Sequence, residues 1–199
     1  MFELETSVRK ASQQLELAYN TTYGLYSLIR QIIILLTTKN KRFSGEIEVD
    51  ESYFGGRRKG KRGRGAANKI PVFGILERGG KVRVDVVEDV KGDTLLNLTL
   101  KKVKRGSLIY TDKFRSYDGL VSYGFKHERI DHGLKFAHGK VYINGIEGFW
   151  SFAKERLMKH HGISKEKFLY YIKEMEWIYN NREKALFVDL IHIILGADC

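Results

Sequence analysis

A change in hydrophobic period near residue 45 most constrains the fold of this 199-residue chain. Ile47 and Val49 alternate with acidic residues, which predicts a half-buried strand that ends at Asp50. Similar patterns predict a second strand at residues 70–76 and a third at residues 82–86. Residues 77–81 between them are predicted to form a hairpin turn. We therefore expect an antiparallel three-stranded meander in this part of the chain.

The segment that follows alternates helices and strands. The predicted elements are a helix at 94–104, a strand at 107–110, a helix at 116–123, a strand at 125–130 and helices at about 144–159 and 164–182. The order βββ-α-β-α-β-α predicts a mixed α/β sheet with helices on its faces. It resembles the order of the ribonuclease-H-like fold, in which the first and fourth strands are central neighbours.

Residues 1–31 are predicted to be helical. Residues 16–18 can form a tight turn, and Asn20, Thr21 or Thr22 can cap a second helix that runs to Leu36. Two helices separated by such a turn suggest a helix-turn-helix, although any helical hairpin gives the same pattern.

The charge of the chain favours a polyanionic partner. Its formal net charge is +11 and its pI is about 9.6, which points to nucleic acid. Six cations occur in one glycine-rich segment without an acid, namely Arg57, Arg58, Lys59, Lys61, Arg62 and Arg64. We expect a basic loop that contacts phosphates, although such a loop can also be plain solvated surface.

Cysteine content and hydropathy exclude several classes of protein. The single cysteine, Cys199, excludes a disulfide scaffold and a cysteine zinc ribbon, and suggests a reducing, cytosolic setting. The longest aliphatic run, residues 32–36, is far too short to span a membrane. We expect no membrane partner.

Two carboxylates are predicted to meet in the sheet. Asp50 follows the first strand and Asp112 follows the fourth. Because these strands are neighbours in the expected fold, the two carboxylates would lie side by side and repel unless a divalent cation lies between them. Oxygen ligands of this kind suit Mg²⁺ or Mn²⁺.

The helix that begins near Asn144 has two faces. One face is a predicted core stripe formed by Ile146, Phe149, Trp150, Ala153 and Leu157. The opposite face presents an amide, an acid, a hydroxyl and an ammonium, from Asn144, Glu147, Ser151 and Lys154. This helix could complete a metal site while its apolar face packs on the sheet.

The spacing of these residues resembles the DDE transposase and integrase signature. Between Asp112 and Glu147 lie 34 residues, and Lys154 comes seven residues after Glu147. Three motifs look like those of bacterial insertion-sequence transposases whose third motif reads Asn-x-x-Glu: EVDESYFGG, YTDKFRSY and NGIEGFWSFAK. The resemblance covers about Gly45 to Arg182, and residues 7–36 resemble the helix-turn-helix that precedes the catalytic domain in that family.

The resemblance implies a domain organisation. It places a helix-turn-helix-like segment at 1–38, a linker at 39–44, a ribonuclease-H-like catalytic domain at 45–185 and an apolar tail at 186–199. It also implies a bacterial protein of the cytoplasm and nucleoid, acting as a homodimer or larger assembly on double-stranded DNA of transposon ends and target.

The resemblance also implies a reaction, in which two Mg²⁺ or Mn²⁺ ions assist cutting of transposon ends and joining of the 3′-OH to target DNA. Asp50 would bridge the ions, Asp112 would bind one, Glu147 or Asn144 would bind the other, and Lys154 would contact a phosphate. Further DNA contacts are expected from Tyr19, Asn20, Thr21, Thr22 and Arg30. Two alternatives remain open, a non-transposing nuclease of the same fold and an inactive remnant that acts as a DNA-binding regulator.

Overall fold

The computed structural model describes residues 1–2, 4–38, 41–55, 69–112, 117, 119–130, 143–160 and 162–195. The chain divides into two compact units. One contains residues 1–39 and 155–199, and the other contains residues 40–154. No helix within the described ranges has the length and apolarity needed to cross a membrane.

A five-stranded mixed sheet forms the centre of the unit at residues 40–154. Its strands are β1 (Glu46–Phe54), β2 (Ile70–Glu77), β3 (Val82–Val86), β4 (Leu108–Asp112) and β5 (Lys126–Ile130), in the order β3-β2-β1-β4-β5. The first three strands are antiparallel, whereas β4 runs parallel to both β1 and β5. The predicted meander, the central pairing of the first and fourth strands and the ribonuclease-H-like mixed α/β fold class are thus confirmed.

The described part of the chain contains six α-helices. They are α1 (Val8–Gln14), α2 (Tyr19–Thr37), α3 (Gly92–Lys102), α4 (Asn144–Leu157), α5 (Lys165–Asn180) and α6 (Leu186–Leu195). Among the described residues of the helix predicted at 116–123, Val121–Tyr123 form a short 3₁₀ turn, and Ser116 and Asp118 lie outside the described residues. The apolar residues after 185 form α6.

The first strand differs from its predicted form in two ways. It continues past Asp50 to Phe54, and it is buried on both faces. Ile47 and Val49 are buried in the core that contains Leu95 of α3, while Glu48, on the opposite face, is only 1% exposed. Alternation of apolar and acidic residues predicted a half-buried strand, but a central strand covered by helices has no solvated face.

The burial of Glu48 is compensated by two donors, one from Arg78 and one from α4. Arg78 donates to Glu48 through Nε at 3.0 Å and to Glu46 through Nη1 at 2.8 Å. The backbone N–H of Ile146, in the first turn of α4, donates to Glu48 Oε2 at 2.9 Å. A Cβ at Gly145 would lie 2.8 Å from the same oxygen. Glu48 therefore links the start of α4 to β1 by a hydrogen bond. The close approach of the two elements requires glycine at position 145.

The start of α2 also differs from its prediction. The helix begins at Tyr19, and its N-cap is Ala18, without a side-chain hydrogen bond. The three candidate capping residues therefore lie inside the first turn, where the Thr22 hydroxyl donates to the Ala18 carbonyl at 3.3 Å. The turn before it follows expectation, because Glu16 reverses the chain with a φ of +54°.

Candidate active site

Three carboxylates converge at the centre of the sheet. Asp50, Glu51 and Asp112 each place a carboxylate oxygen within 4.8 Å of the others. The parallel pairing of β1 with β4 ends at Glu48 opposite Tyr110, so Asp50 and Asp112 lie two residues further along their strands. The fold thus brings together the two aspartates that the sequence placed side by side.

The convergence changes the acidity of Asp50. Burial, together with the charges of Glu51 and Asp112, raises the pKa of Asp50 from 3.8 to about 7. Hydrogen bonds from the backbone of Glu51 and from the side chain of Trp150 act in the opposite direction. Like charges held together in a partly desolvated place retain a proton unless a cation compensates them.

The glutamate in this group was not expected from the sequence. Glu51 is 8% exposed, and the hydroxyl of the buried Tyr117 donates to Glu51 Oε2 at 2.8 Å. The two-residue period of a strand sends the side chains of Asp50 and Glu51 to opposite faces, which is why the sequence did not suggest that they meet. The only available signal was that a second acid directly follows Asp50, at the end of the predicted half-buried strand.

A tryptophan on α4 holds Asp50. The Trp150 indole Nε1 donates to Asp50 Oδ2 at 3.0 Å, and its ring meets the edge of Phe54 at a centroid distance of 6.1 Å. Gly74 of β2 lies opposite Asp50 in the sheet, and a Cβ there would come within 2.5 Å of the Trp150 ring. A glycine at this position therefore gives the indole room to reach the carboxylate.

The two predicted faces of α4 are observed. The five residues of the predicted core stripe are all buried, and those of the opposite face, Asn144, Glu147, Ser151 and Lys154, are all exposed. Among the described residues, the convergent carboxylates do not include Glu147. The Lys154 Nζ lies 5.8 Å from the centre of the Phe54 ring. Partial desolvation of the ammonium lowers the pKa of Lys154, and the charge of Asp50 opposes this effect.

The predicted DNA-contacting residues of α2 divide into two groups. Tyr19, Asn20 and Thr21 are exposed. Thr22 and Arg30 are only 1% and 3% exposed, so neither can reach a phosphate.

Arg30 instead forms a buried ion pair. Its Nε lies 2.6 Å from Glu174 Oε2, and its guanidinium carbon lies 4.0 Å from the centre of the Tyr171 ring. The expectation that Arg30 binds DNA was wrong, because a charge on a long helix says nothing about which face meets α5. The six cations of residues 57–64 lie outside the described residues.

The convergent side chains fit a divalent cation. The three convergent donors are carboxylate oxygens, which hard cations such as Mg²⁺ and Mn²⁺ prefer over nitrogen and sulfur ligands. The raised pKa of Asp50 reflects its burial and the neighbouring negative charges of Glu51 and Asp112. The group can therefore hold a cation, and a bound cation would release the proton that Asp50 otherwise retains near neutral pH.

Comparison with known proteins gives the family. The model of the family described as "ISXO2-like transposase domain" matches residues 42–180. An "Uncharacterized transposase-like protein" of Haemophilus influenzae is 50% identical over 103 residues, which cover 52% of this chain and 84% of the relative. An "Uncharacterized protein in transposable element ISH50" of Halobacterium salinarum is 29% identical over 191 residues, which cover 87% of this chain and 64% of that protein.

A solved structure also aligns with the chain. The catalytic core domain of HTLV-2 integrase in complex with magnesium does so with a TM-score of 0.43 and 15% identity, over 72% of this chain and 89% of that one. The family match carries the assignment, because it spans residues 42–180 and includes every strand of the sheet. The chain belongs to the ISXO2-like family of insertion-sequence transposases.

Proposed function

We propose that this chain is a metal-dependent DNA transposase, which cuts the ends of an insertion sequence and joins the freed 3′-OH to target DNA. The observation that carries the proposal is the convergence of Asp50, Glu51 and Asp112 within 4.8 Å of one another. Membership of a transposase family supports phosphoryl transfer on DNA as the reaction. The proposed partners are therefore the two DNA duplexes, held by a dimer or larger assembly of the chain.

The proposed cofactor is a pair of Mg²⁺ or Mn²⁺ ions. Asp50 and Asp112 would hold them, together with Glu147 or Asn144 from α4. Such ions neutralise charge on the phosphoryl group and favour deprotonation of the attacking hydroxyl. Lys154 is proposed to contact a phosphate near the scissile bond, in keeping with its interaction with the charge of Asp50.

Neighbouring side chains would keep the carboxylates in place before DNA arrives. Trp150 donates to one oxygen of Asp50, and Tyr117 donates to one oxygen of Glu51. Glu48 ties the first turn of α4 to the same strand. A site whose ligands are oriented by packed neighbours loses little conformational entropy when it binds a cation and a substrate.

A nicking and strand-transfer assay tests the proposal. We expect Mg²⁺- or Mn²⁺-dependent nicking of DNA that carries the element's ends, followed by joining to a target plasmid. Asp50→Asn or Asp112→Asn should abolish nicking and leave DNA binding nearly intact. Full activity in EDTA would contradict a metal mechanism. Nicking without joining would identify a nuclease, and binding without nicking would identify a DNA-binding regulator.

The third ligand can be assigned in the same assay. We favour Glu147, because a carboxylate binds the cation more strongly than the amide of Asn144. Glu147→Gln should therefore abolish nicking, whereas Asn144→Ala should retain part of it. If Glu147→Gln retains full nicking activity, Glu147 is not the third ligand. Loss of nicking in Asn144→Ala or in Glu51→Gln would then identify the residue that is.

Duplex binding is proposed to involve the basic segment at residues 57–64 and the exposed Asn20 and Thr21 of α2. Replacing the six cations of the segment with serine should flatten the plot of log K against log salt by several units, at roughly 0.9 per phosphate contact. Preference for the element's ends over random DNA should persist, because we assign it to Asn20 and Thr21. An unchanged slope would mean that the segment is solvated surface that does not contact DNA phosphates.

A further inference from the structure

A cleft in the unit of residues 1–39 and 155–199 has no role in the chemistry proposed above. It has a volume of about 1050 Å³ and is lined by α1, the start of α2, residues 159–160 and 162–164, and the first half of α5. Cavities of this size enclose ligands of small-molecule dimensions rather than a DNA duplex.

The cleft is cationic. Within the described residues, its lining contains Arg9, Lys159 and Lys167 and no acidic side chain. Glu5, beside the cleft, pairs with Lys159 at 2.9 Å and so offsets that charge. Lys167 donates a hydrogen bond to the hydroxyl of Tyr23, a neutral partner that leaves the ammonium charge in place. Arg9 and Lys167 therefore give the lining its positive potential.

The cleft also presents aromatic rings. Tyr19 and Tyr23, one helical turn apart on α2, are stacked with a centroid distance of 6.2 Å and an angle of 19° between the rings. Tyr19 is 53% exposed, so it can still accept another ring. Deeper in the lining, His160 packs on Tyr171 at 5.1 Å. Burial lowers the pKa of His160 to about 4, so it is neutral at physiological pH.

We propose that this cleft binds unpaired nucleotides of single-stranded DNA, with a base stacked on Tyr19 and adjacent phosphates near Arg9 and Lys167. Stacked tyrosines beside cations are the combination that holds single strands, because every base has a π-face and every nucleotide a phosphate. Bases inside a duplex already stack on each other and cannot extend the tyrosine pair. The choice of DNA rests on the proposed function, whereas the site uses none of the carboxylates.

Binding to the full chain in EDTA tests the inference separately from catalysis. The probes are a fluorescein-labelled ten-nucleotide oligothymidylate and a labelled duplex of the same length, measured by fluorescence anisotropy. Tyr19→Ala should weaken single-strand binding by roughly 5- to 100-fold, the usual range for one lost base stack. Tyr19→Phe should bind as the parent does, because stacking needs only the ring.

The matched control is Tyr123→Ala, which removes a similarly exposed tyrosine from the other unit and should leave the affinity unchanged. Alanine is a good helix former, so Tyr19→Ala should keep α2 intact, which circular dichroism verifies. A second variant, Arg9→Gln, should reduce the salt dependence of single-strand binding by roughly 0.7 in slope, the value for one phosphate contact.

Photocrosslinking locates the bound base. An oligonucleotide carrying 5-iodouracil should crosslink to Tyr19 or Tyr23, identified by mass spectrometry of the digested protein. Crosslinks confined to residues 40–154 would overturn the inference, and so would equal weakening of single-strand and duplex binding by Tyr19→Ala. If these binding results hold while nicking fails in Mg²⁺, the catalytic proposal falls and the cleft assignment stands.

Discussion

Replacing Asp50 with asparagine should stabilise the metal-free protein at neutral pH while it abolishes the proposed catalysis. The substitution keeps the size of the side chain and retains an oxygen that can accept a hydrogen bond from Trp150. In the wild type the Trp150 Nε1 lies 3.0 Å from Asp50 Oδ2. It removes a carboxylate that repels Glu51 and Asp112. Catalytic sites often hold such destabilising charge, which function requires and folding does not.

The magnitude follows from the raised pKa. The unfolded carboxyl ionises near pH 3.8, whereas the folded Asp50 keeps its proton until about pH 7. Between these values the unfolded state binds fewer protons, so wild-type stability falls as pH rises through this window. The difference between the two pKa values corresponds to about 4 kcal/mol, which solvent screening at this partly exposed residue reduces to roughly 1–3 kcal/mol.

Urea unfolding in EDTA measures the effect. The stability gained by Asp50→Asn should be small at pH 4, grow between pH 4 and 7, and stay constant above pH 7. Glu183→Gln, which neutralises an exposed carboxylate, should change stability little at any of these pH values. A gain that does not depend on pH, or a less stable Asp50→Asn at pH 8, would refute the reasoning.

Three further predictions concern neighbouring contacts. Arg30→Ala should destabilise the protein by about 3–5 kcal/mol in urea unfolding, because it leaves the buried Glu174 carboxylate uncompensated, and a loss below 1 kcal/mol would place the pair in solvent. Gly74→Ala should cost about 1–3 kcal/mol and alter the near-ultraviolet circular dichroism of the protein, because its Cβ displaces Trp150; an unchanged spectrum would contradict this. Saturating Mg²⁺ should raise the melting temperature of the wild type but not of Asp50→Asn, and an equal rise in both would place the cation elsewhere.

Much of the fold could be predicted because its signals are local. The alternation around Ile47 and the valines of β3 gave three strands and their antiparallel order. The spacing of apolar residues on α4 identified its buried face, and strand order placed Asp50 beside Asp112. Such patterns depend on the geometry of a single helix or strand, so neighbouring residues in the chain carry all the information.

Whether a charged side chain is buried, and which group it pairs with, depended on residues from distant segments of the chain. Arg30 meets Glu174 across 144 residues of chain, the Glu48 carboxylate meets the Ile146 N–H across 98, and Trp150 meets Asp50 across 100. Local spacing shows which face of an element is polar, but it does not show whether that face meets water or another helix. The sequence by itself therefore determined the strands, the faces of α4 and the family motifs. Only the tertiary structure decided that Arg30 is buried and that Glu51 joins the aspartates, because the desolvation and pairing of a charge are set by packing between distant elements.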